Sequence, residues 1–170
     1  SFGKLVTDKK ELMNAVANYT TRACHKLRLQ KSKSQGIYVY LRTNPFRRQD
    51  PQYDNGITYG FMEPSDDTAF IIQAARKCLE QIYSKGYKYH KAGIMLLDIV
   101  PASYKQMEMF SSEETQARSQ LMKTIDSMNN SMGQDTIRFA AQGIDHPWAR
   151  KCENRTPRYT TNWDELVKVI

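Results

Sequence analysis

Cysteine, histidine and long apolar runs are all scarce in this 170-residue chain, and each scarcity removes a class of protein from consideration. The three cysteines, Cys24, Cys78 and Cys152, are odd in number, far apart, and outside any CxxC or Cys/His spacing, so neither a disulfide framework nor a structural zinc site is indicated. Buried thiols in a reducing compartment are expected instead. Apolar runs stop at lengths such as Ile94-Met95-Leu96-Leu97, far short of the roughly 20 residues that cross a bilayer. The opening Ser1-Phe2-Gly3 has the character of neither a signal peptide nor a natural start, which predicts a cytosolic piece of a longer protein. His25, His90 and His146 lack triad or ligand spacing, and no phosphate-cradling GxxxxGK[ST] loop occurs. The adjacent carboxylates Asp66-Asp67 and Glu113-Glu114 each stand where a helix is expected to begin, and the helix dipole accounts for them. No catalytic centre, metal or cofactor is therefore expected.

Positive charge is what the chain has in excess, and it is unevenly placed. The net charge is +7, and residues 1–101 hold 16 Lys/Arg against 9 Asp/Glu, whereas residues 102–170 hold 9 of each. Positive charge concentrated on one unit favours a polyanion such as nucleic acid, and the neutral remainder suggests a different task. A basic, merely soluble surface is the bland alternative. Lys4, Lys26, Arg28, Lys31, Lys33, Arg42, Arg47, Arg48, Lys88 and Lys91 flank the expected sheet and its loops, with Tyr38, Tyr40, Tyr87 and Tyr89 interspersed. Among them Lys4, Arg42, Arg47, Arg48, Lys88 and Lys91 are candidate phosphate contacts, which fix position without reading sequence.

The periodicities predict an α+β fold. Residues 2–6 alternate as a short strand that stops before Asp8, which with Glu11 has capping-box spacing. Leu12, Met13, Val16, Tyr19, Thr20, Ala23 and Leu27 then form one helical stripe, followed by a polar loop over 30–36. Ile37, Val39 and Leu41 alternate with Tyr38, Tyr40 and Arg42, giving a strand with a core face and a chemically active face. A turn-rich stretch leads to a strand over 57–63, antiparallel to it. Asp66-Asp67-Thr68 opens a helix with the stripe Phe70, Ile71, Ala74, Ala75, Cys78, Leu79 and Ile82, which Gly86 terminates, and a strand over 87–100 follows. This order is a split βαβ, ferredoxin-like four-stranded sheet with both helices on one face and the other face free. Ala117, Leu121, Ile125 and Met128 mark a third amphipathic helix, after which a small irregular tail carries Trp148 and Trp163. Three units result: 1–103, 104–112 and 113–170.

Within the middle unit, Gln106-Met107-Glu108-Met109-Phe110 places three large apolar side chains where an exposed connector is expected, as a docking peptide does. The same strand order also builds the RNA-recognition motif, whose third strand stacks bases on aromatics. Here that strand reads Thr58-Tyr59-Gly60-Phe61-Met62-Glu63, but Met62 and Glu63 stand where small and apolar residues are needed and Pro64 closes it early. A split βαβ protein-interaction or RNA-binding module remains the alternative to DNA binding.

With these elements in place, the chain resembles the C-terminal part of the UmuC group of error-prone polymerases, within the Y family of translesion DNA polymerases. The resemblance rests on Ser1-Phe2-Gly3, Thr43-Asn44-Pro45-Phe46, the run from Tyr89-His90-Lys91-Ala92 through Gly93-Ile94-Met95-Leu96, and Pro157-Arg158-Tyr159-Thr160-Thr161-Asn162-Trp163. It implies that residues 1–103 are the little finger, which rides on duplex or template-primer DNA. It implies that Gln106, Met107, Met109 and Phe110 dock on the β sliding clamp of DNA polymerase III, with methionines replacing the two leucines of the usual motif. It further implies that 113–170 meets the UmuD′ accessory dimer, with Trp148 and Trp163 as anchors, that RecA is a partner, and that the protein is cytoplasmic and nucleoid-associated. The palm, fingers and thumb, with their metal-binding carboxylates, have no counterpart here, so this piece is expected to be non-catalytic although its parent is a DNA-directed DNA polymerase acting in the SOS response and DNA repair.

Overall fold

The structure, a computed structural model, describes residues 1–103 and 114–149, together with 156, 157, 159, 160, 162 and 166. Its elements in chain order are α1 (Lys9–Leu29), β1 (Ser32–Thr43), β2 (Asp54–Ser65), α2 (Thr68–Ile82), β3 (Tyr89–Pro101), α3 (Glu114–Met132) and a 3₁₀ turn (Ala140–Gln142). Each of the first two helices starts where an aspartate satisfies orphan amides. Asp8 accepts from the Glu11 N–H at 3.1 Å, and Asp67 accepts from those of Ala69 at 2.8 Å and Phe70 at 3.2 Å. The stripe of α2 is buried at Ile71, Ala74, Ala75, Cys78, Leu79 and Ile82, as its period predicts. Together with Leu12, Val16 and Cys24 of α1 it covers Ile37, Val39 and Leu41 of β1. Full burial of each such branched side chain contributes about 1.5–3 kcal/mol.

The α+β class and element order are as expected, but the sheet has three strands, in the antiparallel order β2-β1-β3. The fourth is reduced to an isolated bridge between Val6 and Tyr89. The chain bends at Gly3 and Lys4, so the Phe2 amide bonds the His90 carbonyl at 2.9 Å while Val6 bonds Tyr89 in both directions at 2.9 and 2.8 Å. Four steps along one side therefore face one step on the other, which a regular ladder cannot accommodate. The expected loop over 30–36 is corrected too: β1 begins at Ser32, because Ser32, Lys33 and Ser34 pair in register with Pro101, Val100 and Ile99, while against β2 the register shifts in a bulge between Ser34 and Gly36. Buried Ser34 spans that bulge, its hydroxyl lying 2.7 Å from the Gly36 carbonyl, and is also 2.7 Å from the Leu97 carbonyl of β3.

Two further departures concern the last third of the chain. α1 buries Ala15, Ala17, Asn18 and Cys24 beyond its predicted stripe: Ala15 and Cys24 belong to the core shared with α2 and the sheet, and the segment after α3 returns to pack on α1 as well. There Trp148 packs edge-on to Tyr19 at 5.5 Å and Phe2 at 6.3 Å, and its carbonyl accepts from the Gly3 amide at 3.1 Å. α3 also docks on this domain, though not through its apolar stripe: Leu121 and Met128 are exposed, and Met122 is buried. Polar pairs one turn either side of Met122 make the contact. Asp126 holds Arg28 of α1 in a two-pronged ion pair of 2.6 and 2.8 Å, and Arg118 reaches Asp67 at 3.1 Å. Among the described residues, no helix is long and apolar enough to cross a membrane and no group of His, Cys, Asp or Glu is arranged to hold a metal ion.

Candidate nucleic-acid interface

Directly opposed residues of an antiparallel sheet share a face, so the register sorts β1 into its two sides. Ile37, Val39 and Leu41 lie opposite Leu96, Ile94 and Ala92 and point to the helices. The other side is uncovered by either helix, and it is built in four rows. Gly36 lies between Gly60 and Leu97, Tyr38 between Thr58 and Met95, Tyr40 between Gly56 and Gly93, and Arg42 between Asp54 and Lys91.

The glycines explain how the tyrosines lie. A Cβ on Gly56 would fall 2.2 Å from the Tyr38 hydroxyl and 2.6 Å from its Cζ, while one on Gly93 would fall 2.4 Å from the Cζ and hydroxyl of Tyr40. The two rings thus lie across the backbone of β2 and β3, with centroids 5.9 Å apart and planes inclined by 26°. Lys91 Nζ is 5.9 Å from the Tyr40 centroid, within cation–π range.

Cationic side chains gather at the Arg42 end of this face. Arg42 pairs with Asp54 at 2.8 Å, and in the β1–β2 loop Asp50 takes Arg47 at 2.9 Å and Lys88 at 3.0 Å. The hydrogen bond from Lys88, followed by the charge of Lys88 and Arg47, holds the Asp50 carboxyl below its ordinary value. Arg48 is exposed beside them, and Phe46 at the loop tip is 90% exposed, its amide bonded to the Asn44 side chain at 3.0 Å. The side chains of Arg42, Arg47 and Lys88 are themselves 50%, 44% and 51% exposed, so these cations can turn from a carboxylate to a phosphate. Five of the six candidate phosphate contacts, Arg42, Arg47, Arg48, Lys88 and Lys91, are therefore brought to one end of the sheet. Lys4 is not: it bonds Glu11 in the first turn of α1 at 3.1 Å.

Other expectations fare differently. Tyr89 is fully buried, its hydroxyl exchanging hydrogen bonds with Ser84 at 2.8 and 3.0 Å, so it offers nothing to a phosphate. Trp148 is 5% exposed, which leaves no free indole for an accessory subunit to grip; it pins the tail to its own domain. Gln106, Met107, Met109, Phe110 and Trp163 lie outside the described residues. What the sequence reading missed is the pairing of Gly56 and Gly93 with Tyr38 and Tyr40, for which two glycines in flanking strands were the available signal. A separate groove of about 740 Å³ between α1, the start of β1 and α3 is lined by Lys31, Lys33 and Lys123, but Asp66 and Asp126 line it too.

Comparison with known proteins supplies the family. Residues 1–109 match the impB/mucB/samB family C-terminal domain, and residues 119–169 match a domain of unknown function, DUF4113. The chain is 38% identical over 170 residues to Protein UmuC of Salmonella typhimurium, covering 99% of this chain and 40% of that protein. It is 35% identical over 167 residues both to Protein ImpB of Salmonella typhimurium and to Protein MucB of Escherichia coli, covering 98% of this chain and 39% of each. The chain thus spans about two fifths of the length of the curated relatives it matches. With the whole of its sheet and first two helices inside the matched region, this chain belongs to the impB/mucB/samB family through that family's C-terminal domain.

Proposed function

We propose that this chain is the non-catalytic DNA-holding and clamp-docking part of an error-prone translesion DNA polymerase of the Y family. The observation that carries the reading is the uncovered sheet face, on which five cations converge at one end of a floor of tyrosine and glycine in a chain of this family. Backbone contacts of this type bind without reading sequence. Residues 1–103 act as the little finger on template-primer DNA. The pentapeptide Gln106 to Phe110 docks on the β sliding clamp, methionine filling pockets that leucine fills elsewhere. The UmuD′ dimer and RecA meet the protein elsewhere, and for the former the outward stripe of α3, with Leu121, Met128 and Met132 exposed at 54%, 39% and 69%, is a better-supported surface than Trp148. The parent acts in the cytoplasm on chromosomal DNA.

Duplex affinity measured against salt tests the DNA reading. Release of counterions from about three to five phosphates gives a log–log slope of roughly −3 to −4.5. A flat salt dependence, or strict preference for one sequence, overturns it. Replacing Gln106 and Phe110 by alanine abolishes clamp binding and leaves duplex binding intact; loss of both in a folded variant defeats the two-site arrangement.

A further inference from the structure

We propose that Tyr38 and Tyr40 form a stacking platform for unpaired bases, so that the outer sheet face takes single-stranded nucleic acid beside the duplex. The proposal rests on the reading that this face meets DNA, and adds which part of the DNA lies on it. Three observations carry it. Each ring occupies the space over a glycine where a Cβ would otherwise stand, so one side of the ring is turned to the sheet and the other outward. The two ring planes are within 26° of each other with centroids 5.9 Å apart, the arrangement in which neighbouring bases can each meet a ring. The flanking positions in the same rows are Thr58, Gly56, Gly93 and Met95, so three of the four neighbours are too short to rise over a phenol ring.

Charge completes the pattern. Lys91 Nζ stands over the Tyr40 ring, 5.9 Å from its centroid, and Arg42 lies in the adjoining row, so a base that settles on Tyr40 takes the place of the ammonium and frees it for the phosphates of the strand. Aromatic floors with flanking cations are how single strands are held without sequence preference, because every base has a π-face. A duplex presents sugars and phosphates at its surface, and bare phenol faces add little to those contacts. On β2 the residues Met62, Glu63 and Pro64 break the base-stacking pattern; the rings that can stack are on β1, the central strand.

The test compares three fluorescently labelled DNAs at one salt concentration by anisotropy, using the full chain: a thymidine oligomer, a blunt duplex, and a primer-template with a 5′ overhang. The proposal expects the overhang to bind more tightly than the blunt duplex. It expects the Tyr38→Leu/Tyr40→Leu variant to lose about tenfold or more on the oligomer and the overhang, with the blunt duplex nearly unchanged. The Tyr38→Phe/Tyr40→Phe variant keeps the rings and should bind as the parent does. Equal binding of overhang and blunt duplex overturns the platform, as does a Phe variant that loses as much as the Leu variant, because the hydroxyls would then be the contact. If none of the three DNAs binds, it is the proposed function that fails, and the platform with it.

Discussion

Replacing Asp126 by alanine isolates the interaction that fixes α3 to the domain. The carboxylate receives Arg28 Nε at 2.6 Å and Nη2 at 2.8 Å, and His25 Nδ1 lies 3.2 Å away. The two side chains are 10% and 19% exposed, so the pair belongs neither with surface ion pairs nor with fully buried ones. Breaking a buried pair from one side costs about 3–5 kcal/mol, whereas an exposed pair contributes about 0–1 kcal/mol. Arg28 would still donate to the Asp66 carbonyl and the Thr68 hydroxyl, both at 2.8 Å, which keeps its charge from being stranded. A loss of about 2 kcal/mol is therefore expected, which raises the population with α3 open by about thirtyfold. Amide hydrogen exchange reads this element by element: α3 amides in the Asp126→Ala variant should exchange faster while those of β1 and α2 keep their protection. A double-mutant cycle with Arg28→Met should return a coupling of about 1–2 kcal/mol. Unchanged α3 exchange, or coupling below about 0.5 kcal/mol, would refute the view that this pair holds the helix.

Acid should act on the same contact. Burial alone would raise the Asp126 carboxyl, but the hydrogen bonds and charges of Arg28 and then His25 together outweigh it and hold it below 3.8. A depressed folded value means that the contribution is intact above pH 3.8 and is lost as pH falls through the folded value, so α3 protection should be level near neutrality and drop only in strong acid. The step should vanish in Asp126→Ala. Trp148→Ala removes a ring packed on Phe2 and Tyr19 and should cost about 3–5 kcal/mol in urea unfolding; a loss under about 1 kcal/mol would mean the tail is not pinned there. Burial pushes the Cys24 thiol up to about 12, and Cys78 is raised in the same way, so in a Cys152→Ser background thiol reagents at pH 8 should react no faster than the domain opens. Gly143 has φ of +72° and its Cβ would fall 2.5 Å from Asn14 Nδ2, so Gly143→Ala should cost about 1–2 kcal/mol by thermal unfolding.

The fold was most legible where one element has one dry face. α2 is such a helix, and its period named six of its eight buried residues, missing Thr68 and Ile72. α1 has a second face closed by a tail more than 100 residues away in sequence, which no local period can register. Residues 2–6 alternate well enough for a strand, but a bend at Gly3 and Lys4 defeats a pattern only five residues long. The third helix shows the opposite limit: its apolar stripe is real, yet the helix is held by charged residues, because Arg28 and Asp67 offered partners that amphipathicity does not report. At the candidate site, the alternation of Tyr38 and Tyr40 with Val39 and Leu41 marked the chemically distinct side of β1. That Gly56 and Gly93 lie beneath the rings depends on strand register, which the sequence of β1 does not contain.

The docking of α3 also sets the mooring of the pentapeptide. On one side the chain is made fast where the Ala102 amide bonds the Lys31 carbonyl at 2.7 Å, and on the other where Arg118 meets Asp67. Eleven steps from residue 103 to residue 114 span at most about 40 Å, and a cord tied at both ends reaches out no further than half its length, about 20 Å. Release of α3 would remove one of those two ends, so the Arg28–Asp126 contact decides whether that limit of reach applies at all.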